Sequence, residues 1–430
     1  MQTGLVNKTT LHPFSSRRRL SPRFRTGVCL HGHTLHSREP LTFLHRILKQ
    51  HPLLNWAVRS EEQKRLGKGQ PRIDFSKIWW TPPLCPRQAW DLEASQISRA
   101  LGLQPLISLT DHDTAEACWA LRIVQPDVPV SIEWTVHTGR TFLHLGVHNL
   151  PLEQAPEMLQ HMRAHAAGKG KPNAVPDLLA ELDAHPGVLT VLNHPFWDES
   201  GIGRQEHQRH LLAFLKEHRR WIHALELNGF RPAAEEEQVM QLARELEMPV
   251  VAGGDRHGRT PASAINVTTA ETFEEFVDEV RRDGFSDIVL FPHYFENRSL
   301  RIMQTIGEIV REAPDHALGW RRWCDRIFYE AGLGTLCHSG NRGLLGSKHL
   351  LLQLFMPESP ASRQPLCEKW GLVRLGRPAR YLRTGLSFYP QERRTREAAK
   401  RKGLWAGTTG AHGFRRPHHT RCRRRDRSAG

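Results

Sequence analysis

The feature that most constrains this chain is a repeated junction, in which an apolar run long enough for one buried strand meets histidine, aspartate or asparagine. Val28-Cys29-Leu30 runs into His31-Gly32-His33-Thr34, and Leu106-Ile107-Ser108-Leu109 runs into Asp111-His112-Asp113. Residues 187–192 end at Asn193-His194-Pro195, residues 221–227 at Asn228-Gly229, and residues 249–252 pass through Gly253-Gly254 to Asp255-Arg256-His257. Two more strand-like runs carry a ligand-type residue inside them: Glu133 in 128–134 and His144 in 141–147. Between these runs, apolar residues recur at helical spacing over 87–101, from 115 onward, and over 176–184, 233–247 and 272–282, with a last strand near 288–291. Strands alternating with helices, and polar residues at strand ends, predict a parallel barrel or doubly wound sheet with its site at the carboxyl ends of the strands.

The chemistry follows from the residue types. His31, His33, His112, Glu133, His144, His194, Asp255 and His257 are imidazoles with a few carboxylates. That mixture suits Zn²⁺, Mn²⁺ or Fe²⁺, with Mg²⁺ as a further option, better than Ca²⁺, which wants oxygen almost exclusively. Taken singly, His31-x-His33 is equally a product of strand alternation, and His194 before Pro195 reads more readily as a turn residue. Glu133 is harder to dismiss, because an unpaired carboxylate in an apolar strand is costly and needs a cation or a basic partner. Eight ligands exceed what one ion takes from protein, so two or three ions sharing a bridging carboxylate and hydroxide are expected. Such a cluster lowers the pKa of bound water and stabilises both oxygens of an in-line displacement at phosphorus.

The order of these motifs resembles the polymerase and histidinol phosphatase (PHP) family. The resemblance rests on His31-Gly32-His33-Thr34, Leu109-Thr110-Asp111-His112-Asp113-Thr114, Ile132-Glu133, His144-Leu145-Gly146, Asn193-His194-Pro195, Glu226-Leu227-Asn228 and Gly254-Asp255-Arg256-His257. It covers about residues 27–290. It implies a distorted seven-stranded (β/α)7 TIM-like barrel and a di- or trinuclear centre that hydrolyses phosphoesters, with Glu133 as a bridge. Where the family has Ser-Asp-Gly after its first motif, this chain has Ser37-Arg38-Glu39-Pro40. Either Glu39 takes the ligand position or the third metal site is weakened; Arg38 is instead a candidate to grip substrate phosphate there. Arg256 and Arg259 are further candidate phosphate contacts, and Asp113 and His257 are candidates for proton transfer.

Charge and composition set the remaining expectations. The net charge is +15, but residues 341–430 alone hold 21 Lys and Arg against 5 Asp and Glu. The basic balance therefore belongs to the end of the chain and not to a groove at the site. We expect a flexible leader at 1–26, a phosphoesterase domain at 27–335 with an insertion at about 41–83, and a disordered basic tail at 336–430. The insertion is expected to be helical around 41–66, with tryptophans that serve packing. Seven cysteines without a Cys-x-x-Cys fit a reducing cytoplasm, and no run approaches membrane-spanning length. The expected substrate is a small phosphorylated metabolite or a nucleotide. The alternatives are a nuclease on short oligonucleotides, helped by nucleic-acid binding through the tail, and a degenerate barrel that holds metal without turnover.

Overall fold

The computed structural model describes residues 8–15, 20–42, 52–67, 69, 74–170, 174–231, 233–330 and 336–338. The tail beyond His338 and the start of the expected insertion helix lie outside them. The strands are β1 (Lys8–Pro13), β2 (Thr26–Cys29), β3 (Glu39–Pro40), β4 (Ile78–Trp80), β5 (Gln104–Ile107), β6 (Ile132–Thr138) and β7 (Thr141–His148). They continue as β8 (Leu189–Asn193), β9 (Ala224–Asn228), β10 (Val250–Gly253), β11 (Ala264–Thr268), β12 (Phe285–Leu290), β13 (Ile327–Glu330) and β14 (Leu336–His338).

These strands do not close into the single seven-stranded barrel that the sequence suggests. They form three sheets, ordered β1-β12-β11-β2-β5, β10-β9-β8-β7-β6 and β14-β13-β4-β3. Nor are the sheets all parallel: β6 with β7, β7 with β8, and β11 with both β12 and β2 are antiparallel. Chain length gives the reason. Only Gly139-Arg140 separates β6 from β7, and two residues make a hairpin where a parallel crossover needs a dozen or more. Gly139 has φ 61°, the left-handed conformation such a turn favours. The two five-stranded sheets meet at isolated parallel bridges, Gly32 with Arg256 and His112 with Glu133. Both bridges lie in ligand-bearing segments, where irregular backbone replaces a ladder.

The helix Phe273–Arg281 shows how local signals and packing agree. Thr272 accepts from the Glu275 amide, and Glu275 accepts from the Thr272 amide, closing a capping box. Its apolar face, Phe273, Phe276, Val277 and Val280, packs with Val28 and Leu30 of one sheet and Leu189, Val191 and Val251 of the other. Each such side chain contributes roughly 1.5–3 kcal/mol on burial, so this cluster holds the two ligand-bearing sheets together. A larger core lies around β6–β10, where Trp134 is fully buried and its indole N–H donates to the Met162 carbonyl at 3.0 Å.

Three expectations change at the margins. The stretch read as a leader contains β1, which runs parallel to β12. Its His12 ring lies 2.6 Å from the buried Asp287 carboxylate, and the surrounding arginines had masked that short strand signal. The insertion is more than packing, because β4 pairs with β3 on one side and β13 on the other. Past the boundary placed at 335, β14 continues this third sheet. Among the described residues, Cys29, Cys85 and Cys118 are free, and no helix is long and apolar enough to cross a membrane.

One core residue fixes an acid response. His148, 2% exposed, shares a 2.8 Å hydrogen bond with the Ser108 hydroxyl. Burial, helped by the nearby His31, pushes its pKa down to about 3. The folded state therefore holds a neutral ring where the unfolded chain, with a pKa of about 6.5, takes up a proton. The resulting stability is complete above about pH 6.5 and is lost as pH falls toward 3; at pH 5.5 the loss is about 1.4 kcal/mol. His148→Asn should lose less stability than the wild type between pH 7.5 and 5.5. Urea unfolding with chelator present throughout measures the difference, and equal slopes would refute it.

Candidate metal centre

The strand ends deliver their side chains to one place. His31 and His33 follow β2, His112 follows β5, Glu133 and His144 lie on β6 and β7, and His194 and Asp255 follow β8 and β10. Turning these side chains inward requires unusual backbone. His194 has φ 26° and Asp255 φ 46°, and Asp113, beside His112, has φ 52°. Left-handed conformations at non-glycine residues store strain that the surrounding structure has to hold. The paired glycines before Asp255 have a steric reason. A Cβ on Gly253 would fall 1.6 Å from Glu226 Oε1, and one on Gly254 would fall 3.0 Å from the His31 carbonyl oxygen.

Glu133 is the hub, and it is fully buried. Its Oε2 lies 3.2 Å from His31 Nε2, 3.3 Å from His33 Nε2 and 3.2 Å from His112 Nδ1, yet has no hydrogen-bond partner. Its Oε1 lies 3.1 Å from His194 Nε2 and 3.4 Å from His144 Nδ1, and accepts from the Asn193 amide at 3.0 Å. Glu39 forms a second focus. Its Oε2 is 2.9 Å from His257 Nε2 and 3.3 Å from His112 Nε2, while Oε1 is buried without a hydrogen-bond partner. Asp255 Oδ1 is 3.6 Å from His33 Nε2 and 3.4 Å from His257 Nδ1.

Four overlapping groups of ligand atoms result: His33, Glu39, His112 and His257; His31, His33 and Asp255; His31, Glu133 and His194; and His112, Glu133 and His144. The residues fit divalent ions. His31 Nε2 and His33 Nε2 stand 3.0 Å apart, the separation of two nitrogens at right angles on one ion with metal–nitrogen bonds of about 2.1 Å. The unpartnered Glu133 Oε2 and Glu39 Oε1 are the buried anionic atoms that such ions would satisfy.

The outer residues fix how the ligands point. Glu226, 1% exposed, lies 2.5 Å from His31 Nδ1 through Oε1, so the proton sits on that side and Nε2 faces the cluster. Its Oε2 accepts from the His194 amide and the Asn228 side chain, both at 2.8 Å. Asp111 accepts from the Thr34 amide at 2.5 Å and hydroxyl at 2.7 Å, locking the first ligand loop to the second. Electrostatics match. Burial opposes charge on Glu133, but His31, His112 and His144 hold its pKa well below the usual carboxylate range. Burial also opposes charge on His31, and Glu133, Glu226 and Asp255 overcome it, raising its pKa well above the usual imidazole value.

All nine metal-ligand candidates, Glu39 included, therefore lie in this cluster, but the other nominated residues lie elsewhere. Arg38 is exposed, with its guanidinium 5.4 Å from the Trp79 ring centroid. Arg256 turns inward: its Nε is 2.7 Å from Glu93 Oε1 with both side chains 1% exposed, beneath Gly32. Arg259 is half-buried and its amide donates to Glu308 at 3.2 Å. The Asp113 carboxylate accepts from the Thr135 amide and hydroxyl, both at 2.8 Å, so it braces the junction with β6 instead of facing the ligands. The sequence reading assigned no role to Glu226, Glu93 or Arg231. Glu226 carried the same signal as Glu133, a carboxylate inside an apolar strand. Nothing local marked the other two.

No family model matches the sequence, and no curated protein matches it. Among solved structures, it is similar to PsfC from Pseudomonas syringae, at TM-score 0.33 and 15% identity over 52% of this chain and 88% of that one. It is also similar to a sulfate-bound, metal-free amidohydrolase from Chromobacterium violaceum, at TM-score 0.27 and 16% identity over 42% and 84%. A third is a protein from Bifidobacterium adolescentis provisionally described as a metal-dependent phosphoesterase, at TM-score 0.26 and 15% identity over 46% and 91%. Superpositions at this level carry no argument about this chain.

Proposed function

We propose that the chain is a metal-dependent hydrolase acting on phosphoesters, of a small phosphorylated metabolite or a nucleotide. The observation that carries this reading is the convergence of imidazoles on the buried, unpartnered Glu133 Oε2, with a second such carboxylate oxygen on Glu39. The motif order described above supports the choice of phosphoesters. Two or three divalent ions, Mn²⁺, Zn²⁺ or Fe²⁺, held by the four groups would supply an acidified water and neutralise charge developing on phosphoryl oxygens.

The protein's own residues do the rest. Glu133 and Asp255 each face more than one group, so they set the spacing between binding positions. The shell of Glu226, Asn193 and Asn228 keeps the ligands from rotating and so limits reorganisation during reaction. His257 is the most exposed imidazole of the cluster, at 21%, and its Nε2 is paired to Glu39. It is placed to exchange a proton with solvent at that nitrogen.

Metal analysis coupled to a panel of aryl phosphate mono- and diesters tests this reading. The protein loaded with Mn²⁺ or Zn²⁺ should hold two or three ions per chain and hydrolyse at least one ester class, and Asp255→Ala should abolish turnover. Stoichiometric metal binding without turnover of any phosphoester would leave a metal-holding domain and overturn the proposal.

A further inference from the structure

One arginine to which the sequence assigns no role lies against the cluster. Arg231 Nη2 is 2.9 Å from Asp255 Oδ2, and the guanidinium carbon sits 4.1 Å from the ring centroid of Trp197. Its side chain retains 13% exposure while Asp255 has 2%, so it lies between the buried ligands and solvent.

Its position is built. The Arg231 amide donates to the Asn228 carbonyl at 3.2 Å, and the Phe230 amide donates to the Asn228 side chain at 2.8 Å, forming a tight turn after β9. Trp197 belongs to a second fixed loop, in which Asp198 accepts from the amides of Gly201, Ile202 and Gly203 at 2.7, 3.2 and 2.8 Å. Stacking on an indole holds a guanidinium in place, and here it leaves the Arg231 Nε buried without a hydrogen-bond partner, a donor that Asp255 does not use.

A fixed cation here needs a physical reason. With its Nη2 2.9 Å from a carboxylate of the ligand cluster, Arg231 would repel cations held by those ligands. Pairing with Asp255 offsets part of that cost. A dianionic ligand spanning the cations and the free edge of the guanidinium would offset the rest.

We infer that Arg231, braced by Trp197, binds the non-reacting phosphoryl oxygens of the substrate, making it the anion-recognising residue of the site. This rests on the phosphoesterase reading. A planar fork matches two phosphoryl oxygens, which an ammonium group cannot do.

Inorganic phosphate is the probe, used with the full-length Mn²⁺-loaded protein. Arg231→Met should weaken phosphate binding, read by calorimetry and as inhibition of aryl phosphate hydrolysis, by roughly 10- to 100-fold, with KM rising and metal stoichiometry unchanged. Arg231→Lys should restore only part of this. Trp197→Leu, which leaves the charge in place, should give a smaller loss of the same kind. Unchanged phosphate affinity in Arg231→Met overturns the inference. So does loss of a metal ion in Arg231→Met that Arg231→Lys restores, because Arg231 then only supports Asp255. If the wild type turns over esters while the variants match it, only this inference fails. If the wild type neither binds phosphate nor turns over any ester, both readings fail.

Discussion

Replacing Glu133 by glutamine should reduce phosphoester hydrolysis by about 10³-fold or more, a barrier increase of about 4 kcal/mol, and lower bound metal below one ion per chain. Glu133 lies within 3.5 Å of five candidate ligand rings: His31, His33, His112, His144 and His194. Glutamine keeps the volume and removes the charge, so the change reads the anion and not a cavity. Metal-free protein should lose stability as well. Burial opposes the charge on Glu133, but His31, His112 and His144 hold its carboxyl well below the usual range, so the anion stabilises the folded state and the neutral amide should lower the metal-free melting temperature. Inductively coupled plasma analysis, an aryl phosphate assay and thermal melts in chelator give the three readings. Full metal occupancy in Glu133→Gln would exclude Glu133 as the hub.

Arg256→Met should destabilise the fold by about 3–5 kcal/mol, because it strands Glu93 as an uncompensated charge at 1% exposure. The double variant Glu93→Leu, Arg256→Met should recover most of that loss. Arg256 also ties the first and last ligand segments together: its carbonyl accepts from the His33 amide at 2.8 Å, and it bridges to Gly32. The single variant should therefore also bind metal more weakly than the double. Urea unfolding of the four proteins of the cycle measures the coupling. A single variant within about 1 kcal/mol of wild type but with a raised KM would return Arg256 to the role of substrate contact.

The sequence revealed the strand ends because each combines a buried apolar run with a polar stop, and such a pair is local. β2, β5, β8, β9 and β10 were legible for that reason, as was the helix after Thr272. β11 was not: Ala-Ile-Asn-Val-Thr mixes polar and apolar residues, and it is a strand because β2 and β12 flank it. The hairpin of β6 and β7 did leave a signal, Gly139-Arg140 between two strands, which rules out an all-parallel barrel. The direction of a side chain was the least legible property. Arg256 and Asp255 are neighbours, but one faces Glu93 on the helix Pro86–Gln96 and the other faces the ligands. No periodicity separates them, since the left-handed turn at Asp255 breaks it.

The third sheet bears on when the site can be completed. Glu39 supplies a carboxylate to the cluster from a strand of two residues that pairs with β4, and β4 pairs on its other edge with Ile327, Phe328 and Tyr329. A ligand encoded near the start of the chain is thus clamped through a strand encoded near residue 330. During synthesis, the other ligand segments are all translated by residue 257, but the clamp on Glu39 waits for about seventy more residues. Contacts this distant in sequence are slow to form. A nascent chain would therefore pass through an interval in which its histidine cluster exists while the Glu39 position is still unclamped, and metal loading would finish only after the third sheet zips.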